Sequence, residues 1–239
     1  MIKIRDFIKN PYKALSIITK MTLIIGIDDA GRGPVIGPLI LAGVILEEKE
    51  HPKLIELKVK DSKLLSPRTR KAISEKIYDN FETHTEITQP KEIDESPNLN
   101  DLEAIKTAMI INKLSKNKTG KIKAIIDCPS VNLNAWKGFL SKLIENKEIE
   151  LIVEHKADLN HPVVSAASII AKEKREDEVK KIKEKIKMDF GSGYPADPKT
   201  KEFIEKNFDN PLYKEIIRFS WSTWKKLNNS TNQKSLKEF

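Results

Sequence analysis

Short apolar runs alternate with stretches of helical spacing along most of this chain. Residues 22–28 read as a buried strand, and 37–47, "GPLILAGVILE", as a second apolar run that ends in charge. "SPRTRKAISEKIYDNF" predicts a helix, with Ser66 as N-cap, Pro67 at the first helical position, and Ile73, Ile77 and Phe81 on one face. Residues 82–89 alternate like a strand exposed on one side, and "NLNDLEAIKTAMIINKL" is a capped amphipathic helix. "KIKAIIDCPS" is a strand that stops at Asp127 and Pro129. A helix, "NAWKGFLSKLIE", and another strand, "IELIVEHKAD", running into Asp158, come next.

His161-Pro162 opens a long helix whose first turns are small and apolar, "VVSAASIIA", and whose end is almost all charge. The small residues predict close packing on a sheet, and the charged end projects into water. From Gly191 the texture changes to a Gly/Pro loop, "GSGYPADPKT", then to short helices ending "RFSWSTWKKL" and a frayed tail. The alternation predicts an α/β domain, a sheet covered by helices, over residues 21–190, with a small helical C-terminal segment over 191–239. Residues 1–20 are basic and mildly amphipathic and read as a dispensable extension, because Met21 begins "MTLIIGIDD" at the first strand.

Charge changes the picture modestly. There are 43 Lys and Arg against 35 Asp and Glu, a net +8, which favours a polyanionic partner but also describes an ordinary lysine-rich surface. The single cysteine, Cys128, rules out an intrachain disulfide and a cysteine-rich zinc site, and fits a reducing cytoplasm. No apolar run approaches the ~20 residues needed to span a bilayer, so no membrane partner is expected.

Candidate chemistry gathers where strands end. Asp28 and Asp29 close the first strand, Asp127 ends another, and Asp158 follows a third. Successive strand residues point to opposite faces, so Asp28 and Asp29 converge only if the backbone leaves the strand there, which Ala30-Gly31 would permit. Sites in open α/β sheets lie outside strand ends, so the four acids could share one crevice. Their mutual repulsion would raise their pKa values, and a divalent cation removes the conflict. All-oxygen ligands point to Mg²⁺ or Mn²⁺ rather than zinc, and two such ions suit in-line attack at phosphorus. The ordinary alternative for any one of these aspartates is a helix cap or turn. Gly31-x-Gly33-x-x-x-Gly37 is one residue too long for a dinucleotide fingerprint and leads into an apolar run, and no P-loop occurs.

Five ordered segments, "GIDDAGRGPVIGPL", "KDSKLLSP", "IIDCPS", "EHKAD…HPVVSAASIIAKEKRED" and "GSGYPADPKT", resemble ribonuclease HII, the type 2 ribonuclease H family, most of all its archaeal members. The resemblance covers Leu23 to Trp224. It implies a ribonuclease H-like mixed sheet flanked by helices, with a C-terminal helical segment that completes the substrate cleft. It also implies a divalent-metal-dependent endonuclease that cuts the RNA strand of RNA–DNA hybrids. The same enzyme is expected to incise 5′ to a single ribonucleotide in duplex DNA, leaving 5′-phosphate and 3′-hydroxyl ends. The family's four acids fall on Asp28, Asp29, Asp127 and Asp158.

Its Gly-Arg-Gly falls on Gly31, Arg32 and Gly33, where main-chain groups approach the 2′-hydroxyl. Its sugar-stacking tyrosine falls on Tyr194, and Lys60, Lys63 and Lys156 are expected at phosphates. No nucleophilic side chain is expected, because Ser62, Ser165 and Cys128 lack an evident base.

One position departs from the pattern. The family usually carries Glu where this chain has Asp29, which implies retained activity with weaker affinity for one metal or a shifted Mg²⁺/Mn²⁺ preference. Two alternatives stand beside the resemblance: another metal-dependent nuclease of the same fold, or a hybrid-binding protein without catalysis. A monomer is expected. A sliding-clamp contact lacks a clear motif, since the terminal "NQKSLKEF" has Gln233 and Phe239 but no paired aromatics.

Overall fold

The computed structural model describes residues 21–59, 65–207, 210–222 and 224. The expectations for residues 1–20, for Lys60 and Lys63, and for the terminal clamp segment lie outside them. In chain order the elements are β1 (Thr22–Ala30), β2 (Leu39–Glu47), α1 (His51–Glu56), α2 (Pro67–Asn80), β3 (Glu82–Thr88), α3 (Pro90–Glu95) and α4 (Leu99–Ser115). Then come β4 (Lys121–Asp127), α5 (Leu133–Leu143), β5 (Glu150–Glu154), α6 (Ala157–Asn160), α7 (Pro162–Ile186) and α8 (Pro198–Asn207), with a 3₁₀ turn at Pro211–Tyr213.

The strands form one mixed sheet in the order β3-β2-β1-β4-β5. β1 pairs antiparallel with β2 and parallel with β4, and β4 pairs parallel with β5. β1 is apolar on both faces because it is the central strand, covered on each side. One face, with Ile25, Ile27, Leu41 and Ile126, meets α4 and α5 through Ile110, Ile111 and Trp136. The other, with Ile24, Ile40, Val44 and Ile125, meets the first turns of α7 from Val163 to Ala171.

The small residues at the start of α7 let its backbone approach β1 closely. A Cβ built on Gly26 would lie 2.4 Å from the carbonyl carbon of Val163, so only glycine fits beneath that helix turn. A third core joins the end of α7 to the C-terminal segment through Val35, Ile36, Val179, Phe190, Phe203 and Ile217. Ser66 caps α2 as its sequence predicts, accepting from the amide of Thr69 at 3.2 Å.

Two local expectations are corrected. β1 does not leave the strand at Asp28–Asp29, because β2 keeps pairing with it: Asp28 stands opposite Ala42 and Asp29 opposite Leu41. The strand expected over "IELIVEHKAD" stops at Glu154 and does not run into Asp158. Lys156 adopts a left-handed conformation (φ 56°) after β5, which turns the chain into the one-turn helix α6, and Asp158 lies on that helix.

Candidate active site

The pairing of β1 with β4 ends at Ile27↔Ile126, while β1 runs on to Ala30 against β2. The end of β4 therefore leaves a notch beside the last residues of β1. Ile27, Asp28, Asp29, Glu103, Thr107, Asp127 and Pro129 line a small cavity of about 10 Å³ in that notch. Asp28 shares the face of Gly26 and is hydrogen-bonded by the Ser168 side chain. Asp29 shares the face of Ile27, toward Glu103 of α4. Asp127 closes β4, and its Oδ1 accepts from the amides of Lys156 at 2.8 Å and Ala157 at 3.4 Å. Asp158, the next residue, is buried on α6 but does not line that cavity. Three of the four predicted acids thus share one notch, and the fourth adjoins the amide that holds Asp127.

The electrostatics follow from burial of like charges. Burial raises Asp28 well above the usual carboxylate range, and the charges of Asp29 and Asp127 add to it. Burial, then Glu103, pushes Asp29 up to about 7, with Arg32 and Lys172 working against the shift. Glu103 is itself pushed up to about 7 by burial, against the pull of Arg32. Such a cluster holds protons or cations. Among the described residues, no three Asp, Glu, His or Cys side chains stand in a ready metal-holding group. The donor set nevertheless fits a hard divalent ion: its side chains offer carboxylate oxygens, and their repulsion is what a cation relieves.

The chain beyond β1 forms the second part of the site. Gly31 has φ +94°, and Gly33 is exposed, with a position for a Cβ 3.5 Å from the ring of Tyr194. Arg32 does not extend freely into the cleft. It pairs with Glu103, and its Nη2 donates to Asn100 Oδ1 at 2.8 Å, which fastens the loop to the start of α4. The loop's carbonyls are held from behind by Arg218, which is fully buried. Its guanidinium donates to the carbonyl oxygens of Gly31 (2.7 Å), Arg32 (3.1 Å) and Gly37 (2.9 Å), and it stacks over Trp221. Trp221 Nε1 donates to Gly33 O at 3.2 Å. Main-chain bonds complete the anchorage: Arg218 N to Val35 O, Gly37 N to Ile216 O, and Val35 N to Gly193 O.

Tyr194 is half-exposed beside this loop, with the guanidinium of Arg175 5.0 Å from its ring centre. Lys156 is exposed next to Asp127, but its visible contribution is its main-chain amide. Ser165 Oγ donates to the carbonyl of Asp158, and burial raises the Cys128 thiol, so neither is poised as a nucleophile.

Four residues that sequence reasoning passed over complete the setting: Glu103, Lys172, Arg175 and Arg218. Glu103 and Thr107 form a polar i, i+4 pair on an otherwise apolar helix face, and Arg218 interrupts the apolar "EIIRFSW". Both were readable signals. Lys172 and Arg175 sit in a charged helix end that carries no such signal. A larger groove of about 950 Å³ lies between α3, α7 and the C-terminal segment, lined by Asp94, Glu178, Ile182 and Phe219 among others. It contains none of the acids of the notch, and size alone does not make it the site of chemistry.

Comparison with known proteins bears on the fold and the family. The sequence model described as Ribonuclease HII matches residues 25–224. Ribonuclease HII of Pyrococcus furiosus is 42% identical over 212 residues, covering 87% of this chain and 92% of the relative. The crystal structure of ribonuclease H2 from Pyrococcus horikoshii OT3 superposes with a TM-score of 0.78 at 38% identity, covering 87% of this chain and 98% of that one. RNase HII of Archaeoglobus fulgidus, solved as a complex with PCNA, gives a TM-score of 0.74 at 35% identity, covering 84% of this chain and 95% of that one. With a mixed sheet of the ribonuclease H type and acids at its open end, the chain belongs to the ribonuclease HII family, hydrolytic endoribonucleases that cleave the RNA of RNA–DNA hybrids.

Proposed function

We propose that the enzyme also incises 5′ to a single ribonucleotide embedded in duplex DNA, leaving 5′-phosphate and 3′-hydroxyl ends. The observation that carries this reading is the adjacency of two unlike parts. The acid notch continues within two residues into a glycine loop whose exposed Gly33 faces the ring of Tyr194. Asp28, Asp29, Asp127 and Asp158 are the acids that would hold Mg²⁺ or Mn²⁺, two ions in the full arrangement. Bound divalent ions supply the Lewis acidity for hydrolysis at phosphorus.

The chain's own residues do the rest. Ser168 and the amides of Lys156 and Ala157 fix the carboxylates of Asp28 and Asp127. Gly31 and Gly33 let main-chain groups reach the 2′-hydroxyl, the atom that distinguishes a ribonucleotide in a DNA strand. Arg32 acts through Glu103 and Asn100 by holding that loop. Tyr194 offers its face to the sugar at the RNA-to-DNA junction. Lys60, Lys63 and Lys156 contact phosphates, which position the duplex without reading it.

Residues 21–190 form the catalytic domain in this reading, and residues 191–239 complete its cleft; the third core, which joins the two, and the hold of Arg218 on the loop support the second part. Residues 1–20 are dispensable. A sliding clamp is a further partner, by analogy with the Archaeoglobus fulgidus protein.

The test is cleavage of an end-labelled DNA duplex bearing one ribonucleotide, with Mg²⁺ or Mn²⁺. A single cut 5′ to the ribose, lost in Asp127→Asn, is expected. Cutting restricted to continuous hybrids would remove the junction-reading role from the loop and Tyr194. Binding of both duplexes without any cutting would mean that Asp29 marks a site without chemistry.

A further inference from the structure

Arg175 occupies an unusual place among the buried arginines. Arg70 pairs with Glu173 and Glu176, and Arg218 donates to three carbonyls. Arg175 is also buried, yet among the described residues its Nε has no hydrogen-bond partner, and its Nη2 donates to Ser192 O at 2.9 Å. A buried guanidinium is ordinarily surrounded by acceptors, so this arrangement is costly in isolation. Its surroundings show what the side chain separates. On one side it lies against Gly31, where a Cβ would come within 2.7 Å of its Cδ and 2.8 Å of its Nε. On the other its guanidinium lies over the ring of Tyr194, 5.0 Å from the ring centre. Its Nη2 also stands 3.5 Å from where a Cβ of Gly193 would be. The Arg175 side chain is thus the spacer between the two loops that flank the cleft, carried on the rigid helix α7.

We infer that Arg175 is a positioning residue for ribonucleotide recognition: it sets the separation and ring angle of Tyr194 relative to the Gly31–Gly33 loop. It thereby governs the preference for a ribonucleotide joined to DNA over continuous RNA. This rests on the proposed reading of that site. The planar guanidinium matters more than its charge, since it must stack on a ring and reach a carbonyl together, which a lysine ammonium does not do.

The test compares kcat/KM on a DNA duplex carrying one ribonucleotide with kcat/KM on a continuous RNA–DNA hybrid, using the full chain. Arg175→Met keeps the apolar stem, and Arg175→Lys keeps stem and charge, so that at least one folded variant is in hand. In either, the ratio of the two falls tenfold or more. In a Tyr194→Leu background, the same Arg175 substitution lowers the ratio no further. A ratio within twofold of wild type in a folded Arg175 variant overturns the inference. So does an undiminished effect in the Tyr194→Leu background, which would place the action of Arg175 elsewhere. If wild type cuts only continuous hybrids, the underlying reading fails first and this inference falls with it. If wild type cuts both and Arg175→Lys leaves the ratio unmoved, this inference fails alone.

Discussion

The acid notch and the glycine loop are neighbours in sequence but are built by opposite means. Asp28, Asp29 and Asp127 are delivered by regular sheet: β1 and β4 carry them, and the end of β4 pairing opens the space between them. The loop from Gly31 to Gly37 has almost no regular structure of its own. It is held by side chains and carbonyls from far along the chain, with Arg218 behind it, Glu103 and Asn100 on Arg32, and Arg175 against Gly31. A site for chemistry can thus rest on the most rigid part of the fold, while the part that selects substrate depends on distant contacts. Substitution should therefore separate the two.

The largest separation is expected at Asp127. Asp127→Asn keeps an oxygen for the amides of Lys156 and Ala157 but removes a metal-holding charge. The rate should fall by about 10⁴-fold, roughly 5 kcal/mol, in single-turnover cleavage of either duplex. The melting temperature should stay level or rise, because a repelling charge is gone. Arg218→Met should show the reverse order of effects. It strands the carbonyls of Gly31, Arg32 and Gly37 and should cost about 3–4 kcal/mol. Thermal unfolding should register this as a drop of roughly 10 °C, with the acids untouched.

A smaller effect sharpens the electrostatic half of the comparison. In folded protein Asp29 and Glu103 are raised to about 7, from ordinary values of 3.8 and 4.5. Between those limits the folded protein without metal holds more protons than the unfolded chain. The contribution of these groups to stability is therefore full below about pH 4 and is lost as pH rises through 7. Divalent ions replace the protons, so added Mg²⁺ should raise the melting temperature more at pH 8 than at pH 5. The gain is about 2.7 kcal/mol at a hundredfold excess over Kd, or roughly 5–10 °C. The smallest effect is expected for Asp29→Glu. The charge is unchanged and only the reach differs, so cleavage should change by less than about tenfold (1.4 kcal/mol). The change should appear in the Mg²⁺ or Mn²⁺ concentration giving half-maximal rate, and an identical metal titration would show that side-chain length at 29 is immaterial.

Legibility in sequence divides along the same line. The strand end at Asp127, the Ser66 cap and the small first turns of α7 follow from periodicity and local propensity, and the structure has them where those rules put them, whereas β1 runs on through Asp29 to Ala30 because β2 keeps pairing with it. Asp158 shows the limit of such rules, since a left-handed Lys156 turns a predicted strand end into helix α6. The loop's anchors were out of reach for another reason. Arg175 and Arg218 act on Gly31 across more than a hundred residues, and nothing local to "KEKRED" says which of its charges turns inward. Arg32 was legible as a residue of the site but not as one tied to Glu103, because that pairing exists only once α4 is packed against β1.

The most direct test of the division is to measure cleavage of the two duplexes, one ribonucleotide in DNA and a continuous hybrid, by Asp127→Asn and Tyr194→Leu side by side. Asp127→Asn should lower both rates by the same factor, leaving their ratio unchanged, whereas Tyr194→Leu should lower the ratio about tenfold or more. A Tyr194→Leu enzyme whose two rates fall in equal proportion would contradict the account, because cutting and choosing would then be one function of one site.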